Sequence, residues 1–258
     1  NTLSGSKNGN TYTYTVSNVT SQPVISISVA AKRQYTVTFA SNGSIYSIST
    51  VEENMKASQP AGPERSGYVF GGWYKDANCT HPYDFQSEIT SDVKLYAKWT
   101  ANTYAVEYNK NTTDNISVPS WQTKNHDNVL VLSSQIPSRT GYTFVQWNTK
   151  ADGTGTSYSA GSELNVNADI TLYAQWKINK YSVTLITGEG VTGSLGANEA
   201  EYGKTVTVSA VSGKGFGDPT VTAIPQENAE LVSAGLYKIT GPVSFVASAT
   251  AKKVNTAN

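Results

Sequence analysis

The sequence is poor in cysteine and histidine, the residues that most often supply nucleophilic catalysis and transition-metal ligands. Cys79 is the only cysteine in 258 residues, so an intrachain disulfide is excluded. Thiol catalysis needs a histidine partner, and His81 and His126 are the only two histidines. We therefore expect Cys79 to be incidental to function.

Charge is scarce and balanced. Asp, Glu, Lys and Arg make up 15% of the chain, against about 25% in typical domains, and the formal net charge is zero. No nucleic-acid partner is expected, because bulk electrostatic attraction to phosphate is missing. No signal peptide and no apolar run long enough to cross a bilayer are visible, so no membrane insertion is expected in this segment.

Catalytic motifs are also missing. The sequence has no glycine-rich phosphate loop, no His-Glu-x-x-His, no Cys-x-x-Cys and no Gly-x-Ser-x-Gly. Paired carboxylates need only meet in space, so glycoside hydrolysis stays open, although small modules rarely enclose such a cleft. The glycine-rich loop 152–155 offers the single carboxylate of Asp152, whereas calcium takes about six to eight oxygens. We predict no catalytic, metal-binding or cofactor-binding residue.

What the chain has in quantity is a repeated aromatic block. The motif R-x-G-Y-x-F-x-x-W begins at Arg65 and again at Arg139, and L-Y-A-[KQ]-W ends at Trp99 and again at Trp176. Self-similarity at a period of roughly 75 residues marks a tandem array rather than one large domain.

Each copy begins with a strand of alternating pattern that starts with tyrosine, at Tyr35 and at Tyr104. A third start of this kind, at Tyr181, is followed by no R-x-G-Y block, so the third module is of a different kind. We predict modules at 34–100, 101–177 and 178–258.

Residues 1–33 contain two alternating stretches, 11–16 and 24–29, which predict two strands joined by a turn. Their rhythm is similar to that of 237–246, which we predict to be a hairpin ending the third module. We therefore interpret 1–33 as the terminal hairpin of a truncated β module that begins before this sequence. Its open sheet edge could pair with a neighbour.

The predicted fold class is mostly β, because no segment shows helical periodicity over eight or more residues. Further strands of the third module are predicted at 181–186, 205–211 and 220–224. The prediction is a tandem array of small β-rich modules, two of one kind followed by one of another.

These motifs resemble the Listeria–Bacteroides repeat, the B-repeat type of module of internalin-like and other bacterial surface proteins. The features that match are the Tyr-x-Val strand, R-x-G-Y-x-F-x-x-W, the loop 147–156 and the closing L-Y-A-[KQ]-W, over about 34–177. The resemblance implies two β-grasp-like repeats in series on exported proteins. The first copy departs from it in the loop 75–80, which lacks the Asp-Gly-x-Gly form.

The four repeated tryptophans, Trp73, Trp99, Trp147 and Trp176, are predicted to be core residues, since they recur beside strand alternation. A sugar-stacking platform is the alternative. A high aromatic content is one way for a module of this size to be stable, because small domains bury only about 60% of their unfolded surface.

The other residues of the block also have structural interpretations. Arg65 and Arg139 are expected to lay their stems over an aromatic ring, with the heads capping carbonyls, rather than to bind a ligand. Gly67 and Gly141 are expected to take backbone angles closed to other residues.

Three aromatic residues are candidate ligand contacts. Trp121 lies in an insertion that the first copy lacks, between Pro119 and polar residues, and Tyr74 and Tyr83 flank the loop of the first copy. An exposed tryptophan is a common anchor for a partner. The alternative for Trp121 is that it covers the core of its own enlarged module.

The expected function is that of a non-enzymatic, semi-rigid stalk or adhesion segment of a large exported bacterial cell-surface protein. The alternative is a module that binds a glycan or a host or cell-surface protein, including one accessory to a secreted carbohydrate-active enzyme. The expected location is extracellular, on the cell surface or attached to the cell wall. We expect a monomer, with edge-strand pairing through 1–33 as the alternative.

Overall fold

The computed structural model describes residues 2–8, 11–17, 19–22 and 31–253. These residues form β-strands throughout and one short 3₁₀ turn, η1 at Gln226–Asn228, so the prediction of a mostly β fold is confirmed. No helix among them has the length and apolar character that crossing a bilayer requires. Contacts divide the chain into two units, Asn1–Arg65 with Phe70–Trp99, and Ser66–Val69 with Thr100–Asn258.

The N-terminal residues form an antiparallel pair, β1 (Thr2–Asn8) and β2 (Thr11–Ser17). The sequence analysis predicted β2 but not β1, because Thr2–Asn8 is polar and lacks apolar alternation. The predicted strand 24–29 lies outside the described residues.

The first copy of the repeat folds into one four-stranded sheet of order β4-β3-β6-β5. Its central strands, β3 and β6, run parallel, β4 is antiparallel to β3, and β5 lies beside β6. The strands are β3 (Gln34–Ser41), β4 (Ser44–Glu52), β5 (Tyr68–Tyr74) and β6 (Val93–Ala101).

The second copy repeats this order and adds one short strand at the edge, giving β11-β10-β13-β7-β8. A separate two-stranded ribbon pairs β9 with β12. The strands are β7 (Thr103–Asn109), β8 (Gln122–Asn125), β9 (Leu130–Val131), β10 (Tyr142–Asn148), β11 (Ser157–Tyr158), β12 (Glu163–Leu164) and β13 (Ile170–Ile178).

The remaining strands form two four-stranded sheets, of order β16-β14-β21-β18 and β15-β17-β20-β19. One core lies within this region and draws buried residues from both sheets, including Val183 and Val206. The strands are β14 (Lys180–Thr187), β15 (Val191–Leu195), β16 (Glu199–Glu201), β17 (Thr205–Ser212), β18 (Thr220–Ile224), β19 (Ala229–Ser233), β20 (Leu236–Ile239) and β21 (Val243–Ser248).

The predicted hairpin at 237–246 is wrong. β20 pairs with β17 and β19, whereas β21 pairs with β14 and β18, so the two strands belong to different sheets. The turn between them contains Pro242, which has no N–H to donate to a hairpin ladder. Ile239 and Phe245 are both fully buried in the shared core. The similarity of rhythm therefore gives no support to the interpretation of 1–33 as a terminal hairpin.

All three modules share one feature, a parallel pair made by the entry strand and the closing strand. The partners are β3 with β6, β7 with β13, and β14 with β21. The valine at the third position of each Tyr-x-Val start, Val37, Val106 or Val183, is completely buried. A strand between two others, covered on its inner face, favours β-branched side chains at such positions.

The tryptophans of the repeat form the centre of each copy. Trp73 is 2% exposed and Trp147 is fully buried. The Trp147 ring packs edge-on against Tyr108, with ring centroids 4.8 Å apart. Trp99 and Trp176 are half-buried, and the Trp176 indole N–H donates to the Lys110 carbonyl at 2.9 Å. The core prediction is confirmed for Trp73 and Trp147, while the closing tryptophans lie at the margin of the core.

A carboxylate fixes the entry strand of each copy at the same point. Asp92 accepts the Thr36 backbone N–H at 2.7 Å, and Asp169 accepts the Ala105 N–H at 2.8 Å. Both aspartates directly precede the closing strand, so each joins the start of the entry strand to the start of its parallel partner.

The loop after the core tryptophan is held by different side chains in the two copies. Asn148, fully buried, donates to the carbonyls of Gly153 and Gly155 and accepts from two backbone N–H groups. In the first copy, Asp76 accepts from the backbone N–H groups of Thr80 and His81 at 3.1 and 2.9 Å. Both side chains accept two backbone N–H groups of their loop, and Asn148 also donates to two loop carbonyls, which a carboxylate cannot do.

Substituting Trp147 by alanine is expected to destabilise the second copy by about 3–5 kcal/mol, the cost of removing a buried tryptophan. Thermal unfolding followed by tryptophan fluorescence and circular dichroism checks this. Trp121→Ala is the matched control, because Trp121 is 66% exposed and its loss is expected to leave the transition in place. An unchanged transition in Trp147→Ala contradicts the assignment.

Asp76 generates a pH prediction. Hydrogen bonds from the Thr80 backbone N–H, and then from His81, lower the pKa of Asp76 from 3.8 to about 2. A depressed carboxyl pKa stabilises the loop fully above pH 4, and this stabilisation is lost as the pH falls through about 2. The carboxyl carbon of Asp76, followed by NMR, should titrate near pH 2. A midpoint near 3.8 contradicts the hydrogen bonds.

Candidate functional site

Trp121 is the most exposed of the candidate ligand contacts. It directly precedes β8, an edge strand of the second copy's sheet, and 66% of its surface is accessible. Neighbouring apolar residues are also exposed, with Val131 at 57%. The alternative that Trp121 covers the module's own core is therefore not what the structure has.

The residue after Trp121 is anchored in a buried network. The Gln122 side-chain oxygen accepts from the Tyr108 hydroxyl at 2.6 Å and from the Ser133 backbone N–H at 3.1 Å. Its amide nitrogen donates to the Val131 carbonyl at 3.1 Å. Burial raises the pKa of the Tyr108 hydroxyl. The backbone that presents Trp121 is held in place before any ligand binds, which lowers the entropic cost of binding.

Tyr74 and Tyr83 lie in the first unit at the two ends of the 75–82 loop, and their rings pack on different partners. Lys98 Nζ lies 4.8 Å from the centre of the Tyr74 ring. Tyr83 packs edge-on against Phe85, with ring centroids 4.8 Å apart, and belongs to the margin of the first core. Half-buried packing of this kind leaves less of each ring available to a ligand than Trp121 offers.

The Tyr83 hydroxyl is enclosed. Its oxygen is buried without a hydrogen-bond partner among the described residues, and burial raises its pKa. Tyr83 lines a cleft of about 380 Å³ together with Lys75, Lys94, Glu88 and Asp92. Both signs of charge meet there, so the cleft has no preference for one ionic ligand.

Arg139 of the second R-x-G-Y block stacks on an aromatic ring as expected. Its guanidinium carbon lies 3.7 Å from the centre of the Tyr142 ring. The prediction that its head caps carbonyls is wrong, because Arg139 Nε donates to the Asp114 carboxylate at 2.6 Å. That hydrogen bond lowers the pKa of Asp114. A carboxylate 25 residues upstream competes better for a guanidinium than neutral carbonyls do.

This ion pair forms one wall of a cleft of about 520 Å³ in the second unit. The rings of Tyr142 and Tyr202 also line it. Sequence reasoning missed the cleft, since Asp114 lies in an irregular segment with no motif and Tyr202 lies in the third module. In the first block, Arg65 donates to the Asn42 side-chain oxygen at 3.2 Å, so the acceptor differs between copies.

The remaining chemical groups are dispersed. Within residues 31–253 and the described N-terminal stretches, no three side chains of His, Cys, Asp or Glu come together as metal ligands would. Asp152 accepts from the Thr154 backbone N–H at 3.0 Å and its hydroxyl at 2.8 Å, which closes a local turn. The Cys79 thiol, half-buried, has its pKa raised by burial, so it is less nucleophilic than a free thiol.

Comparison with known proteins gives matches over the two repeated blocks. The family model of the Listeria-Bacteroides repeat domain matches residues 35–98 and 104–175. Evansella cellulosilytica has a “Putative membrane protein” that is 35% identical over 66% of this chain and 26% of its own length. Internalin H of Listeria monocytogenes is 32% identical over 56% of this chain and 25% of its own length.

A second protein of Evansella cellulosilytica, a “Putative Gly-rich membrane protein”, is 34% identical over 61% of this chain and 18% of its own length. The chain thus spans about a quarter or less of each of these relatives. The family matches together cover more than half of the chain, in two consecutive copies with the same strand order. This chain belongs to the Listeria-Bacteroides repeat family.

Proposed function

We propose that this chain is a non-enzymatic spacer segment of an exported bacterial cell-surface protein, holding other domains away from the cell. Support comes from the family, from the internalin among its relatives, and from the small part of each relative that the segment covers. Repeated modules joined in series extend a chain in one direction, which suits a spacer.

The observation that carries the proposal is the shortness of the junctions. β6 ends at Ala101 and β7 begins at Thr103, so Asn102 is the only residue between them. β13 and β14 are likewise separated by Asn179 alone. A flexible tether is built from long runs of Gly and Ser, whereas one residue between two hydrogen-bonded strands leaves few rotatable bonds. Such short junctions would therefore restrict bending between successive modules.

A second candidate function is glycan binding through Trp121. The favouring observation is its 66% exposure on a backbone held by the Gln122 network. Flat aromatic faces stack on the apolar faces of pyranose rings, and pre-organised exposed aromatic residues are efficient binding anchors. The flanking domains of the whole protein would decide whether such binding serves adhesion or a carbohydrate-active enzyme.

The spacer proposal predicts an extended particle. A single globule of 258 residues has a radius of gyration of about 18 Å, whereas three modules in series give about 26 Å. Small-angle X-ray scattering of the monomeric chain, with mass checked by light scattering, measures this directly. A monomer near 18 Å would contradict the spacer.

The glycan-binding alternative predicts loss of binding in Trp121→Ala. A glycan array probed with the wild-type chain and this variant should then show at least a tenfold drop in affinity, the effect of losing ~1.4 kcal/mol. Ile136→Ala is the matched control, because Ile136 is equally exposed at 66% in the same copy. Binding that is lost equally in both variants, or absent from all three proteins, removes Trp121 as a glycan contact.

A further inference from the structure

The glycine of the second R-x-G-Y block is covered by a ring from the following module. Gly141 has φ +76°, and a Cβ placed on it would overlap the ring of Tyr202. Two constraints therefore act on this position, the left-handed backbone and the approach of the ring. Many turn glycines have a left-handed backbone, but the close approach of a ring from the following module is specific to this position.

The first R-x-G-Y block has the same arrangement within the second unit. Gly67 has φ +78°, and a Cβ there would overlap the imidazole of His126. The Tyr68 ring lies edge-on to that imidazole, with ring centroids 5.3 Å apart. Two different planar side chains thus cover equivalent glycines.

The backbone hydrogen bonds around the two glycines are also the same. Asn179 N–H donates to the Gly141 carbonyl, and Tyr202 N–H donates to the Asn179 carbonyl, each at 2.9 Å. The corresponding bonds run from Asn102 N–H to the Gly67 carbonyl at 2.9 Å and from His126 N–H to the Asn102 carbonyl at 2.8 Å. Each junction asparagine therefore receives one bond and gives one.

The ring comes from a topologically equivalent place in modules of different fold. His126 directly follows β8, which pairs antiparallel with the entry strand β7. Tyr202 directly follows β16, which pairs antiparallel with the entry strand β14. Both sheets run in the order edge strand, entry strand, closing strand and one further strand, but the second copy adds β11, and the third module has a second sheet that shares its core.

The two rings differ in how far they also contact their own modules. Tyr202 is absent from the apolar cluster of the third module, which takes Tyr181 and Tyr237 instead. The His126 Nδ1 lies 2.9 Å from the hydroxyl of Tyr104, in the entry strand of its own module. Tyr202 is therefore the ring whose role at the glycine can be separated from the core of its module.

We propose that the R-x-G-Y glycine is a socket for the module that follows, and that a planar side chain directly after the strand next to the entry strand is the plug. The partner that fits is a β module whose entry strand directly follows a junction asparagine and which has Tyr or His directly after the strand next to the entry strand. The joint needs only the entry strand of the downstream module and the edge strand beside it, which both kinds of module have, so the two kinds can share one chain. It would exist whether the segment is a spacer or a glycan binder.

The test is hydrogen exchange of single amides by NMR on the full chain. The Asn179 and Tyr202 amides report the joint, and the Val183 amide, bonded to the Asn198 carbonyl inside the third module, reports that module alone. Replacing Tyr202 by alanine is expected to speed exchange at position 179 roughly tenfold while Val183 is unchanged. Tyr202→His is expected to keep the protection, since histidine fills the other socket.

A pair of glycine variants separates the socket from backbone strain. Gly141→Ala and Gly161→Ala introduce the same strain, at φ +76° in both, but a Cβ on Gly161 meets nothing closer than 3.5 Å. Only Gly141→Ala is expected to expose the Asn179 amide, and adding Tyr202→Ala to it should cause little further exposure.

Two results would overturn the proposal. One is unchanged Asn179 exchange in Tyr202→Ala, which would mean that the ring does not hold the joint. The other is equal acceleration at Asn179 and Val183, which would assign the ring to the stability of its own module. Both results leave the scattering test of the spacer unaffected.

Discussion

The parallel pairing of entry strand and closing strand is the constraint on which each module depends. Parallel neighbours cannot be joined by a tight turn, so the chain must leave the sheet and return over dozens of residues. In the repeats, that excursion carries the R-x-G-Y block and places its strand on the far side of the closing strand. The two repeated motifs of each copy, far apart in sequence, thereby become neighbours, as where Phe144 pairs with Trp176 between β10 and β13.

Size explains why the core of each repeat is aromatic. A module of about 70 residues buries only about 60% of its unfolded surface and is marginally stable, so large buried side chains contribute much of its stability. Trp147, with Tyr108 and Phe144 packed at centroid distances of 4.8 and 5.0 Å, concentrates buried area in few residues. The third module reaches the same end differently, by enclosing its core between two sheets. Dense aromatic packing and a second sheet are thus two ways of giving a small module a stable core.

The sequence predicts what is local and misses what is distant. Alternation of period two located β3, β7 and β14, because one face of each strand is buried along its length. The prediction of a hairpin failed at 237–246, where two alternating stretches form strands in different sheets. Partners of the polar side chains were also beyond reach: Asp114 meets Arg139 through an irregular segment that no propensity describes. For the candidate site, the insertion identified Trp121 as a candidate contact but left its exposure open, and its exposure and its support by Gln122 required coordinates.

The R-x-G-Y block shows how one short motif can serve two modules. Arg139 and Tyr142, on either side of Gly141 in the sequence, stack on each other, and the Gly141 backbone lies in the left-handed region. The glycine's bare face and its carbonyl then remain free of the block's own side chains, and both are used by the following module. A larger residue at this position would affect the turn and the junction together. In a tandem protein, the same short motif can therefore stabilise its own module and form the contact with the following module.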